Sequence, residues 1–236
     1  MALTKTNFMR GMQCPKMLWL DKHKPELKII PPEVQARLDA GNEFGDRAMS
    51  MFGDYEEMTV YRPGTTSPDK RAMLRNTEDA LNRGVPVICE AAFSNYNNYC
   101  AVDILRRTDT GYDIYEVKNS LEVSEQFIKD VAFQHYIVSR CGLKIGKIFI
   151  VLSSGDEDDP FLPGIAVVRN LGSPKAMDRM LSYLQNVKPK KAELIVDEML
   201  GIMSEIDAWR DKKESQKANA AYNEFLYRTE QLRTTK

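Results

Sequence analysis

Residues 101–119 read as a β-hairpin, and the segments that follow restrict the fold to a short list. One strand runs over 101–107, Asp109-Thr110-Gly111 supplies turn chemistry, and the returning strand covers 112–119. A helix-length segment from Ser124 to Cys141 comes next, closed by Gly142, and then the apolar, β-branched run Lys147-Ile148-Phe149-Ile150-Val151-Leu152. A strand that returns after a helix crosses over and pairs in parallel. A further strand is expected over 87–93, joined to the hairpin by the turn-rich Asn95-Tyr96-Asn97-Asn98. The order predicts an antiparallel meander extended by a parallel strand, which is a central mixed β-sheet flanked by helices in an α/β (α+β) fold.

The returning strand carries the chemistry. Side chains alternate every two residues in a strand, so Glu116 and Lys118 share one face while Tyr115 and Val117 share the other. Asp103 reaches the first face if the turn register is favourable, which brings two carboxylates and an ammonium together. Close carboxylates repel unless a cation lies between them. Hard oxygen ligands suit Mg²⁺ or Mn²⁺, and such sites commonly handle phosphate esters. Spacing alone fits better a surface aspartate beside a cross-strand Glu–Lys pair, a common arrangement on half-exposed sheets.

Asp103, then Glu116-Val117-Lys118, then Gln134 on the following helix resemble, in that order, the PD-(D/E)XK nuclease superfamily, in its RecB-like, phage-type exonuclease branch. Glu90 matches the additional acidic position of the phage-type members. The opening Leu3-Thr4-Lys5-Thr6-Asn7-Phe8, with Gln13-Cys14-Pro15-Lys16-Met17-Leu18-Trp19-Leu20, is similar to RecB-like proteins related to the CRISPR-associated nucleases. The resemblance covers residues 1–152 and implies a restriction-endonuclease-like core. It implies Mg²⁺ or Mn²⁺ held by Asp103, Glu116, Glu90 and the Val117 carbonyl. Lys118 would orient the attacking water and stabilise charge on the phosphate, and Gln134 would order Lys118, a water or the phosphate backbone. The implied activity is a metal-dependent deoxyribonuclease, an exonuclease acting on linear ends in recombination, repair or phage- and defence-related processing. The alternative is a catalytically inactive nucleic-acid-binding or interaction module on the same scaffold.

Two departures from that pattern matter. In Gly41-Asn42-Glu43-Phe44-Gly45-Asp46-Arg47-Ala48, which resembles the first RecB-like motif, Gly45 stands where many members carry a metal-binding histidine. Glu43 or Glu90 would have to substitute, and Gly41 and Gly45 read as close-packing residues. Some relatives also hold an iron–sulfur cluster with one early and three late cysteines. Here Cys14, Cys89, Cys100 and Cys141 are the only four, so no cluster is expected.

The formal net charge is −1, so no global basic field advertises a nucleic-acid partner. DNA contact then falls to local bases: Lys5, Arg10 and Lys16 on the outer face of a helix over 4–20 that Pro15 divides, with Arg106 and Arg107. A solvated helix face explains the first three equally well. Scattered cysteines argue against a zinc ribbon or a disulfide framework and suit a reducing cytoplasm. No apolar stretch approaches the length of about 18 residues that a membrane span needs.

Elsewhere, Pro31-Pro32 opens a helix reaching Met51 or Phe52, and a short edge strand is expected over 57–60. Ser67-Pro68-Asp69 and Gly84 bracket another helix. Residues 153–160 read as an acidic loop, and 164–169 as a last strand. From Pro174 the pattern is helical over 177–184 and 192–209, with a charged stretch to Lys236. The expected division is a nuclease-like core over 1–172 and a helical extension over 173–236, which offers a surface to a protein partner.

Overall fold

The computed structural model describes residues 3–155, 163–168, 171 and 173–186. The meander forms as expected: β3 (Val87–Asn95), β4 (Asn98–Thr108) and β5 (Gly111–Lys118) pair antiparallel, and β6 (Ile145–Ser153) pairs in parallel with β5. The last strand, β7 (Pro163–Val168), returns antiparallel to β6. The expected edge strand is shorter and starts earlier: β2 is Glu56–Glu57, parallel to β3. A strand with no periodicity to announce it, β1 (Leu3–Thr4), pairs in parallel with β4. Seven strands thus make one mixed sheet, ordered β2-β3-β4-β5-β6-β7 with β1 off that path.

Six α-helices among the described residues flank the sheet. Pro15 divides the first helical stretch, as its missing N–H requires, into α1 (Lys5–Gln13) and α2 (Pro15–His23), with Cys14 extended between them. The helix α3 (Pro32–Ala48) tightens into a 3₁₀ turn over Met49–Phe52. In α4 (Lys70–Arg83), the Asp69 carboxylate accepts the Arg71 and Ala72 N–H groups, and Gly84 ends the helix at φ 73°. Ser124 caps α5 (Glu125–Arg140) by accepting from the Phe127 N–H. The last described helix is α6 (Pro174–Gln185), and residues 192–209 and the charged stretch lie outside the described residues, as do 156–160 of the acidic loop. No helix among the described residues is long and apolar enough to cross a membrane. All four cysteines are free thiols.

The main core lies between one sheet face and α1, α2, α5 and α6, built from Phe8, Leu18, Phe133, Ile137, Met180 and Leu184 against Ile114, Ile150 and Leu152. A smaller cluster on the opposite face joins Ala48 and Met49 to Val87, Cys89, Ile104, Tyr115, Phe149 and Val151. Gly11 lets α1 approach α6, since a Cβ there would fall 2.6 Å from a Leu184 methyl. Phe8 and Phe133 stack with ring centroids 4.5 Å apart, tying α1 to α5. Phe8→Ala should cost about 3 to 5 kcal/mol of folding stability, measured by urea titration, because Phe8 is 1% exposed and its ring fills the space against Phe133. A loss below about 1 kcal/mol would mean that α1 is not anchored through this stack.

Candidate active site

One edge of β4 pairs with β3 along nearly its whole length. Its other edge is shared: β5 takes residues 104–108 and β1 takes Asn98 and Tyr99. Residues 100–103 of β4 therefore border a fork, with β5 diverging on one side and β1 entering from the other. Among the described residues, the acids and lysines of the candidate site gather there. At the fork the Asp103 side chain replaces a backbone partner, its Oδ2 accepting the Val117 N–H at 2.7 Å.

The strands also reverse their sidedness at this level. Val87 and Cys89 face the smaller cluster, whereas Ala91 and Phe93 face the main core, although a regular alternation would keep all four on one face. The reversal falls at Glu90, whose φ is +54°, a left-handed conformation that costs a non-glycine residue about 1 kcal/mol. In β4 it falls at Asp103, between Val102 in the main core and Ile104 in the smaller cluster. The β3–β4 ladder passes from Cys89↔Ile104 to Ala91↔Val102 and omits the facing acids Glu90 and Asp103. Two carboxylates are thereby placed where the sheet opens.

Glu116 is 0% exposed, and each of its oxygens accepts from two donors. Oε1 accepts from Lys118 and from Lys5 at 3.0 Å, and Oε2 accepts from Lys5 at 3.2 Å and from the Gln134 amide at 2.6 Å. Lys118 also donates to Asp130 Oδ2 at 2.7 Å, and Gln134 donates to Asp130 Oδ1 at 3.0 Å. Asp130 and Gln134 lie one helical turn apart on α5, so both point at β5. Gln134 Oε1 is buried without a hydrogen-bond partner. Glu116, Lys118 and Lys5 border a cleft of about 560 Å³ whose lining also includes Glu90, Asp103, Val117, Glu57, Tyr61 and Met73, while Asp130 and Gln134 support them from behind it.

The structure thus brings Asp103, Glu116, Lys118, Gln134 and Glu90 to one place. It also brings in two groups that the sequence reading placed elsewhere or missed. Lys5 does not project outward from α1: its ammonium lies 3.4 Å from Asp103, 3.0 Å from Glu116 and 3.9 Å from Asp130. Asp130 went unnoticed, although its i, i+4 relation to Gln134 was a usable signal. The other basic candidates stand apart from the cleft. Arg10 pairs with Asp21 at 2.9 Å, Arg106 lies over the Phe52 ring, Arg107 donates to the Gly84 carbonyl, and Lys16 is exposed. Glu43 pairs with Arg47 on an exposed face, so of the two acids considered in place of a histidine only Glu90 lines the cleft. Gly41 and Gly45 border the cleft too. A Cβ on either would meet nothing within 4 Å, so neither is a close-packing glycine.

Charge at the site is unbalanced, with four carboxylates facing two ammoniums. Burial, then Asp103, pushes the Glu90 carboxyl up to about 7. Burial, then Glu116, raises Asp103 to about 6 against the pull of Lys5, Lys118 and the Val117 N–H. Burial and Glu116 raise Asp130 as well. For Glu116, burial is outweighed by the two ammoniums and their hydrogen bonds, which hold it well below the usual carboxylate range. Burial likewise loses to the carboxylates around Lys5 and Lys118, and both ammoniums are held above the usual lysine value.

A test by pH follows. Glu90 and Asp103 bind protons more tightly folded than unfolded, so the native state holds the extra protons, and stability falls as pH rises from about 4.5 to about 7. Glu116 acts in the opposite sense, but only at lower pH. In EDTA the melting temperature should therefore drop between pH 5 and pH 8, and Glu90→Gln should flatten much of that drop. An unchanged slope in the variant would show that Glu90 is not the group responsible.

No family model and no curated protein matches this chain. Among solved structures, the crystal structure of SSO0001 is similar at 12% identity over 78% of this chain and 75% of that one, with a TM-score of 0.37. At that score the likeness decides nothing about the site.

Among the described residues, no group of three or more His, Cys, Asp or Glu side chains converges as a finished metal centre does. The Lys5 ammonium stands between Asp103, Glu116 and Asp130 instead. The donors nevertheless suit a hard divalent ion in chemistry: carboxylate oxygens in excess and the backbone of Val117 at the cleft wall.

Proposed function

We propose that this chain is a Mg²⁺- or Mn²⁺-dependent nuclease that hydrolyses phosphodiester bonds in DNA from linear ends, as the resemblance to the PD-(D/E)XK superfamily implies. The observation that carries this reading is the convergence at the β4–β5 fork of Asp103, Glu116, Lys118 and Gln134, with carboxylates outnumbering ammoniums. Asp103, Glu116, Glu90 and the Val117 carbonyl would hold the ion, which would neutralise phosphate charge and acidify a water. Lys118 is aimed by Glu116 and Asp130, and its Nζ donates to the phosphate oxygen on which charge grows. Gln134 donates to Glu116 and Asp130 and through them orders Lys118. As the new P–O bond forms the attacking water's proton passes to solvent, and the departing alkoxide is protonated from solvent.

One observation favours a second reading. The carboxylate oxygens of Asp103 and Glu116 already have protein partners, as in a silent scaffold whose acids serve only as internal ion pairs. End-labelled linear DNA incubated beside closed circular DNA, with Mn²⁺ and with EDTA, separates the readings. The proposal expects metal-dependent loss of the linear substrate only. Equal cutting of both would indicate an endonuclease, and cutting of neither would favour the silent scaffold.

A further inference from the structure

We propose that Lys5 is a tethered counter-ion of this site that exchanges with the divalent metal instead of sharing the site with it, an inference that rests on the metal-centre reading above. The argument starts from how the ammonium is delivered. Leu3 and Thr4 form β1 and plug the open edge of β4, with the Leu3 N–H donating to the Asn97 carbonyl at 2.6 Å. Thr4 then caps α1 by accepting the Asn7 N–H, and Phe8 is locked against Phe133. The backbone of Lys5 is therefore fixed at the fork by a strand, a helix cap and an aromatic stack.

From that anchor the side chain reaches acids on three elements: Asp103 of β4, Glu116 of β5 and Asp130 of α5. Asp103 Oδ2 is committed to the Val117 N–H, and the two Glu116 oxygens also serve Lys118 and Gln134. Beside Glu90 and the Val117 carbonyl, an incoming cation would need Asp103 Oδ1 and the Glu116 oxygens, and those are the acceptors Lys5 uses. Lys118 already shares Glu116 Oε1 with Lys5, and a divalent ion added to both ammoniums there would bring a further, stronger repulsion. The Lys5 side chain is 23% exposed on the cleft wall, and its flexible four-carbon stem can carry the charge outward while the backbone stays in place. In the absence of metal Lys5 keeps the buried acids compensated. When the metal binds, its ammonium is displaced to the cleft rim, where it faces an approaching phosphate.

The test is calorimetric titration of Mn²⁺ into the chelator-stripped full chain as wild type, Lys5→Met and Lys5→Arg. Lys5→Met keeps the stem and removes the charge, so Mn²⁺ should bind roughly tenfold more tightly. Its metal-free melting temperature should fall while the rise on adding Mn²⁺ should exceed that of the wild type. Lys5→Arg retains the charge and should bind no more tightly than wild type. Wild-type or weaker affinity in Lys5→Met, with wild-type binding intact, would overturn the exchange and leave the metal-centre reading standing. Absence of Mn²⁺ binding in both folded proteins would overturn that reading and this proposal together. If Lys5→Met does not fold without metal, the wild type decides by itself. Acetylation of the Lys5 amine, followed by mass spectrometry, should accelerate on adding Mn²⁺, and an unchanged or slower rate would refute displacement.

Discussion

Glu116→Gln is expected to reduce DNA cleavage by about 10²- to 10³-fold or more. The change preserves shape and removes one negative charge from the centre of the site. That charge opposes Lys5 and Lys118 and would also be the metal's most buried ligand, so metal affinity should fall together with rate. The carboxylate is 0% exposed and its two ammonium partners are half-buried, so weakening it should cost about 1 to 3 kcal/mol of stability. Rates are therefore compared per folded molecule, with the folded fraction taken from circular dichroism at the assay temperature. Raising Mn²⁺ should recover part of the lost activity. Wild-type cleavage by folded Glu116→Gln would remove the buried carboxylate from the mechanism.

Lys118→Ala should separate chemistry from binding. Its Nζ is held by Glu116 and Asp130 and by the face of Phe127, so it is a positioned donor and not a roaming surface charge. A donor that meets charge developing in the transition state lowers kcat when removed and leaves KM largely unchanged. The expected loss in kcat is about 10²-fold or more, whereas losing one phosphate contact in the ground state costs only about 1 kcal/mol of DNA affinity. Metal affinity should hold or rise, because an ammonium competing for Glu116 is gone. The pair of variants is thus diagnostic: one loses metal and rate, the other rate alone. A matched fall in kcat and DNA affinity would make Lys118 a binding residue.

Strand periodicity made the hairpin legible. Two-residue alternation put Glu116 with Lys118 and Tyr115 with Val117, and that is how they lie. Helix boundaries were legible for local reasons too: the missing N–H of Pro15, the Ser124 and Asp69 caps and the left-handed Gly84 act through neighbouring residues only. Asp130 was legible in principle, one turn before Gln134, but an isolated aspartate on an amphipathic helix looks solvated until its facing strand is known. Lys5 was not legible. Its role depends on a two-residue strand filling a gap in a sheet edge almost a hundred positions later in the chain, and no local pattern records that. The reversal at Glu90 and Asp103 was equally hidden, because alternation rules assume that every residue of a strand pairs. Gly41 and Gly45 show the same limit in reverse, since small residues on a helix border an open cleft as readily as a tight contact.

The most direct test of the central claim is the initial rate of cleavage of end-labelled linear DNA by chelator-stripped wild type as Mn²⁺ is added back, with Asp103→Asn beside it. The account predicts no cleavage without metal, a saturable rise with Mn²⁺ in the wild type, and little or none in the folded variant. Cleavage that persists in EDTA, or that Asp103→Asn supports at the wild-type rate, would contradict it.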